Sequence, residues 1–483
     1  MRDGGSAPGG AGPLDAVILA LQAALASCPP DRRHGGLLLA VSGGPDSLAL
    51  LLAAAEARAS GRLPRAIEVA TFDHGLRPES AAEAAEVARI ARSLDLPHRT
   101  LSWDRTAPLR GNVPAEARAA RYERLAAHAH AIGAGAILTA HHRDDQIETH
   151  LLARERGARG AALAAMRAWR DLAPGLVLLR PFLALPKRDL VVIVERAGVR
   201  AADDPTNRDL RFARARLRAA PRPPSEERAI LAALDAAERL RAGQDEDLAA
   251  RLDALVARGD LAVSSLGEVE WPTQERESRL LSRAVTAAGG ALYPPATEAL
   301  DRLARRIGAE ASGAATLGGA RVEWRAGHVR AGREYGREGP PDLLWPSNAP
   351  RACFDRRFDI ERSPEDPWAR IAAFGRSGRG GARYGTLPVA LDEAGVIRAV
   401  HPGLTRRAGD AAAAPLRLSC RVGWRVCADL VFPARAALTG RLQNAANHGE
   451  PVGKGVAYTY IRGQVEASCV DGRTVARAHF QDG

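Results

Sequence analysis

Residues 37–41 form a short apolar run that breaks at Ser42-Gly43-Gly44-Pro45-Asp46-Ser47, after which a helical pattern runs over 48–58. A buried strand that enters a helix through two glycines admits few folds. The glycines let the backbone turn tightly and bring its N–H groups against a ligand. The helix start adds a positive end, and Ser42 and Ser47 add hydroxyls. Together they make a cradle for phosphate, with Gly43, Gly44 and Pro45 shaping its backbone. Asp46 is the odd member, because a carboxylate repels phosphate. A magnesium ion bridging Asp46 to the phosphates is a chemical reason for its presence. The bland alternative is a Gly-rich turn with an acid in the first helical turn; the complete six-residue pattern favours function. It is not a Walker-type loop: no GxxxxGK[ST] occurs, and Lys454 is followed by Gly455.

The alternation continues along the chain. Strands are expected over 66–72, 98–103, 136–139 and 176–179, and helices over 79–94, 114–132, from 144 onward, and 188–197. This pattern predicts an α/β fold with a parallel, doubly wound, Rossmann-like sheet. Ligands then sit at the carboxyl ends of the strands, so functional loops should follow Val41, Phe72 and Thr139. Residues 1–13 are rich in Gly, Ala and Pro and read as disordered. The α/β domain is expected over 14–220. The Pro-rich break at 221–224 opens a mostly helical middle domain over 221–340, which carries a hairpin around Gly318 and Gly319. A small β-rich domain is expected over 341–430, and 431–483 is a tail with no assigned role.

The chain carries a formal charge of +11, and Lys187 and Lys454 are its only lysines among 68 basic residues. That arginine surplus favours a polyanionic partner. Five cysteines without a CxxC pair suit neither a disulfide scaffold nor a zinc knuckle, and fit a reducing cytoplasm. No stretch reaches the roughly 20 apolar residues of a membrane span. The apolar segment at 16–28 resembles a signal peptide superficially. However, Asp15 and Gln22 interrupt it, and Leu14, Val17, Ile18, Leu21 and Leu25 recur at the spacing of an amphipathic helix.

Two further motifs fall on the expected loops. Phe72-Asp73-His74-Gly75-Leu76-Arg77-Pro78 follows the second strand, placing Asp73 and His74 on the same sheet edge as the phosphate loop. Arg77 offers a planar fork for phosphate or carboxylate. His141-His142-Arg143-Asp144-Asp145 and Glu148 follow the fourth strand, with Asp144 and Glu148 four residues apart on one helix face. Clustered carboxylates beside imidazoles are costly unless a cation is bound there.

The first motif resembles the PP-loop of N-type ATP pyrophosphatases, and the three in this order resemble the tRNA(Ile)-lysidine synthetase family. The segment 112–122, with Glu116, Arg118, Arg121 and Tyr122, is similar to that family's ExxAR and RY helix. Arg159-Gly160 with Met166, Arg180-Pro181-Phe182-Leu183, residues 203–207 and 212–218 continue the likeness; Ala161 and Ala162 stand where the family has glycines. The resemblance implies a PP-loop ATP pyrophosphatase domain over 14–220 and use of ATP and Mg2+. It implies that the wobble cytidine of a tRNA(Ile) with a CAU anticodon is adenylated at its carbonyl oxygen. L-lysine then displaces AMP to give lysidine. Ser42, Gly43, Gly44, Pro45, Asp46, Ser47, Asp73 and His74 are the implied ATP-binding residues, with Mg2+ on Asp46. Asp46, His141, Asp144, Asp145 and Glu148 are the implied catalytic set. A carboxylate or His141 would take the lysine proton, and Arg77, Arg118 and Arg121 would contact phosphate or tRNA. Another PP-loop tRNA-modifying enzyme, such as a thiolase, is the alternative, and the missing CxxC counts against it.

Overall fold

The computed structural model describes residues 12–30, 34–75, 78–103, 113–202, 211, 213–345, 350–378, 380–405 and 413–431, with Leu438, Leu442, 467–470 and 473–476 beyond. Expectations placed on 1–11, Arg77, 203–207, Phe212 and most of the tail lie outside these residues.

The chain divides into two compact units, Met1–Glu246 and Asp247–Gly483. The first begins with α1 (Pro13–Ser27), which buries Val17, Ile18 and Leu21 as its spacing predicts. Then follow β1 (Gly36–Ala40), α2 (Pro45–Ala59), β2 (Ile67–Asp73), α3 (Ser80–Ser93), β3 (His98–Ser102), α4 (Val113–Ala131), β4 (Ala134–Leu138) and α5 (Arg143–Glu155). A hairpin of β5 (Trp169–Ala173) and β6 (Leu176–Leu179) leads to α6 (Lys187–Arg196), α7 (Ala213–Ala219) and the long α8 (Pro224–Arg258).

The sheet order is β3-β2-β1-β4-β6-β5. All neighbours pair in parallel except β5, which runs antiparallel to β6. The sequence pattern did not reveal β5, because Trp169-Arg170-Asp171 reads as a charged loop. Pairing with the apolar β6 across Gly175 makes it an edge strand. The central strand β1 shows why both faces must be covered. Leu37 and Leu39 join Val41 in a core with α1, α2 and α6, while Leu38 and Ala40 face Tyr122, Leu125 and Ala129 of α4. Chain direction across the sheet reverses at β1, between β2 and β4. The loops after β1 and β4 therefore open into one crevice.

The expected boundary at 220/221 is not where the units part. The first half of α8 packs Ile230 and Leu234 on Ile147 and Leu151 of α5, so the division falls within α8. In the second unit, β7 (Ala262–Val263), β8 (Val269–Pro272), α9 (Ser278–Ala288) and α10 (Thr297–Ala309) precede β9 (Ser312–Leu317), β10 (Ala320–Arg325) and β11 (His328–Arg333). The expected hairpin is thus a meander. Ala326 and Gly327, at φ +50° and +82°, turn the chain a second time, between β10 and β11.

The β-rich region follows. Here β12 (Leu343–Leu344), β15 (Arg370–Ala373), β16 (Pro388–Leu391), β17 (Ile397–Val400) and β18 (Ala414–Pro415) form one sheet. Strands β13 (Arg351–Phe354), β14 (Phe358–Glu361) and β19 (Leu418–Cys420) form another. Leu438 and Leu442, in the stretch expected to be a tail, are buried in this unit's core. Cys420 is a buried free thiol. Among the described residues no helix is long and apolar enough to cross a membrane.

Candidate active site

The phosphate loop leaves β1 at Val41. Gly43 adopts φ +88°, a conformation that strains any side chain, and a Cβ there would meet Val87 and Ala202 at 3.4 and 3.5 Å. Its carbonyl accepts the Ala202 N–H at 2.9 Å, pinning the bend. Gly44 caps α2 in extended geometry and Pro45 opens the helix. The Ser42 N–H donates to Ser47 Oγ at 3.1 Å, and Ser47 Oγ donates to the Gly44 carbonyl at 2.9 Å. The two hydroxyls lie 3.3 Å apart, so the loop is braced before any ligand arrives.

Asp46 projects from the first turn of α2 toward α5 and α6. Its Oδ2 is 3.5 Å from His142 Nε2 and 3.5 Å from Lys187 Nζ. Burial opposes the charge on Asp46, but these two cations outweigh it and hold its carboxyl below the usual range. Its Oδ1 is buried without a hydrogen-bond partner. An unpartnered carboxylate oxygen beside a phosphate cradle fits a magnesium ligand. Among the described residues no group of three or more His, Cys, Asp or Glu could enclose a metal ion. A metal here would need oxygens from bound phosphates, which is how Mg2+ is commonly held.

His142 is the hub. It is 2 % exposed and caps α5 in a capping box, its N–H donating to Asp145 Oδ2 at 3.1 Å. Its ring lies 3.5 Å from each of Asp46, Asp144 and Asp145. Burial disfavours the imidazolium, yet Asp144 and Asp46 push the ring up to about 9. The His142 contact in turn holds the Asp144 carboxyl well below its usual range, helped by the Lys187 N–H, which donates to Asp144 Oδ2 at 2.9 Å from the start of α6. The sequence reading named His141, not His142, as the candidate histidine, and did not place Lys187 here at all. Lys187 carried one available signal, its rarity in a chain with a single other lysine among 68 basic residues.

The remaining acids are already paired. Glu148 is 1 % exposed, and Arg218 of α7 donates to both its oxygens, at 2.6 and 3.1 Å. Arg218 also reaches Asp145 Oδ1 at 3.3 Å. A forked guanidinium spanning two carboxylates is the geometry that makes such burial tolerable. The protein's own cations, His142, Lys187 and Arg218, partner the clustered acids, and Asp46 Oδ1 alone among the contacts described above keeps an open oxygen.

His141 faces the other way. Its Nδ1 is 2.9 Å from Thr139 Oγ1. Burial and the positive field of Arg180, Arg121, Arg118 and Arg214 push its ring well below the usual imidazole value, so it is neutral at pH 7. Asp73 is engaged locally: its Oδ1 accepts the Gly75 N–H at 2.9 Å and the Ser80 hydroxyl at 2.6 Å, and the Ser80 bond leads the lowering of its carboxyl. Asp73 thus shapes the turn into α3, and His74 follows it on the same sheet edge. Arg118 and Arg121 lie on α4 with Tyr122, and Arg118 sits 5.1 Å from the Tyr122 ring centroid.

A PP-loop domain model matches residues 17–223. Over 248 residues the chain is 48 % identical to a tRNA(Ile)-lysidine synthase of Bradyrhizobium diazoefficiens, covering 51 % of this chain and 63 % of that protein. It is 51 % identical to one from Rhodopseudomonas palustris over 38 % of this chain and 52 % of that protein. These two matches thus span about half to two thirds of the relatives' own lengths. A Methylobacterium nodulans tRNA(Ile)-lysidine synthase matches at 43 % identity across 61 % of this chain and 89 % of its own length. With the phosphate loop, the histidine hub and this extent of likeness together, the chain belongs to the tRNA(Ile)-lysidine synthase family.

Proposed function

We propose that the protein ligates L-lysine to carbon two of the wobble cytidine of a tRNA(Ile) bearing a CAU anticodon, using ATP in the cytoplasm. The observation that carries this reading is that Asp46 of the phosphate loop and the acids of α5 share one buried histidine, His142, at 3.5 Å contacts. A triphosphate and a cationic acceptor need those two features side by side.

In this mechanism Ser42, Gly43, Gly44, Pro45 and Ser47 bind the phosphates of ATP through backbone N–H groups and hydroxyls, and hold the pyrophosphate as it leaves. Asp73 and His74 border the nucleotide from the neighbouring strand. Asp46 would hold Mg2+, which when bound would supply charge neutralisation at the triphosphate. Asp46 and Asp144 form the negative pole that receives the lysine ε-ammonium. Asp145 and Glu148 act through Arg218, fixing it between α5 and α7. The carboxyls of this pole are held low by His142 and Lys187, which suits them to binding the ammonium rather than to taking its proton, and the positive field at His141 opposes protonation there. Arg77 serves the phosphates of ATP or tRNA, and Arg118 and Arg121 serve those of tRNA.

The test is nucleoside analysis of a CAU-anticodon tRNA(Ile) transcript incubated with protein, ATP and labelled lysine. Lysine-dependent lysidine with release of AMP and pyrophosphate is expected. ATP hydrolysis indifferent to both lysine and tRNA would sink the reading.

A further inference from the structure

We propose that Arg118, Arg121, Arg170 and Arg180, gathered around Tyr122, form a site for a backbone phosphodiester of bound RNA, distinct from the loop that takes ATP. The choice of RNA as ligand rests on the lysidine-forming reading; the site itself rests on geometry.

Arg118 and Arg121 stand four and one residues before Tyr122 on α4, so Arg118 lies one turn along the same face as the ring. Arg170 comes from the edge strand β5, and Arg180 follows the end of β6, its neighbour. The Arg118 and Arg170 guanidinium carbons lie 5.1 and 5.7 Å from the Tyr122 ring centroid. Such contacts are weak against the repulsion of several like charges crowded together.

Carboxylates do not relieve that repulsion. Among the described residues none of these four arginines has an acidic partner, whereas Arg218, Arg333, Arg383 and Arg421 are each paired with one. Two polar atoms here also lack a well-formed hydrogen bond, although the Tyr122 phenol and the Arg180 guanidinium lie close enough to interact. Tyr122 is 9 % exposed and Arg180 5 % exposed, and Tyr122 Oη and Arg180 Nε are buried without hydrogen-bond partners. Arg180 is otherwise anchored through Nη1, which donates to the Arg167 carbonyl at 2.7 Å. Burial brings its guanidinium down to about 10, opposed by the neighbouring Tyr122 hydroxyl and aided by Arg170 and Arg118.

Forked donors converging from a helix and a strand, plus a phenol hydroxyl, call for an anion with several acceptor oxygens. Phosphate satisfies that geometry better than a planar carboxylate. The nucleotide's own phosphates already have the loop after β1, and Arg118 is exposed enough to be reached by a large ligand. A phosphodiester beside the nucleotide being modified fits both conditions, because phosphate contacts fix the register of an RNA while base contacts identify it.

The experiment measures binding without turnover, using the CAU-anticodon tRNA(Ile) transcript and, separately, ATP. The double variant Arg118→Ala/Arg170→Ala should weaken tRNA binding about tenfold near 0.1 M salt and flatten the salt dependence by roughly one to two contacts, with ATP affinity unchanged. Tyr122→Phe keeps the ring and removes the hydroxyl, and should weaken tRNA binding by a smaller factor. Unchanged tRNA affinity and salt slope in the double variant would overturn the proposal. A fall in ATP affinity with tRNA affinity intact would overturn it too, by giving the phosphate to the nucleotide. If the arginines prove to hold tRNA while the wild type makes no lysidine, the functional reading fails and this site stands.

Discussion

His141 and His142 are consecutive residues with opposite surroundings. His142 lies among Asp46, Asp144 and Asp145 and is pushed up to about 9. His141 lies among Arg180, Arg121, Arg118 and Arg214 and is pushed well below 6.5. Successive side chains in extended backbone point to opposite sides, and His142 is fixed in that geometry by its bridge to Phe182. One peptide bond therefore separates a pole suited to cations from a pole suited to anions. Identical side chains acquire opposite charge states from field alone, and a motif written as letters carries no record of that field.

The comparison breaks most readily at Asp46. Asp46→Ala removes the acid common to the phosphate loop and the histidine hub, and should slow tRNA-dependent pyrophosphate release by about 10²–10³-fold. A loss under threefold would detach the acidic pole from the chemistry. Arg218→Met leaves Glu148 buried and uncompensated, and should destabilise the protein by about 3 kcal/mol in chemical denaturation. Adding Glu148→Gln should recover most of that loss, and no recovery would mean that Arg218 matters through other contacts.

The third test sharpens the contrast through pH. The His142 value is raised on folding, so the stability it contributes is complete below the ordinary 6.5 and is lost as pH climbs through about 9. In the metal-free protein, the melting-temperature gap between wild type and His142→Asn should narrow from pH 6 to pH 10. A constant gap would remove the imidazolium from the account. The smallest effect belongs to His141→Asn. A general base contributes about 10²–10⁴-fold; with its proton affinity suppressed, His141 should cost less than tenfold in lysidine formation. A larger loss would return the base role to it.

Much of the fold could be read in advance because β1, β4 and β6 are short runs of Leu, Ile, Val and Ala buried on both faces, and only a parallel sheet flanked by helices buries both. The edge strand β5 was hidden, since its partner supplies the order that its own charged sequence does not. Within the site, the acids were visible as a motif but their counter-ions were not. Arg218 and Lys187 arrive from 70 and 43 residues away along the chain, a distance that periodicity does not span. Glu148 reads as a reactive carboxylate on its helix and is found clamped by Arg218, because burial is a property of what packs above it.

Lys187 has a practical consequence. In a polypeptide with two lysines, one of them ion-paired to Asp46 with its side chain 40 % exposed, an acylating reagent that seeks primary amines has few targets. The near-absence of that residue type turns the mouth of the nucleotide cradle into a spot that mass spectrometry can report on, peptide by peptide, with no engineered label.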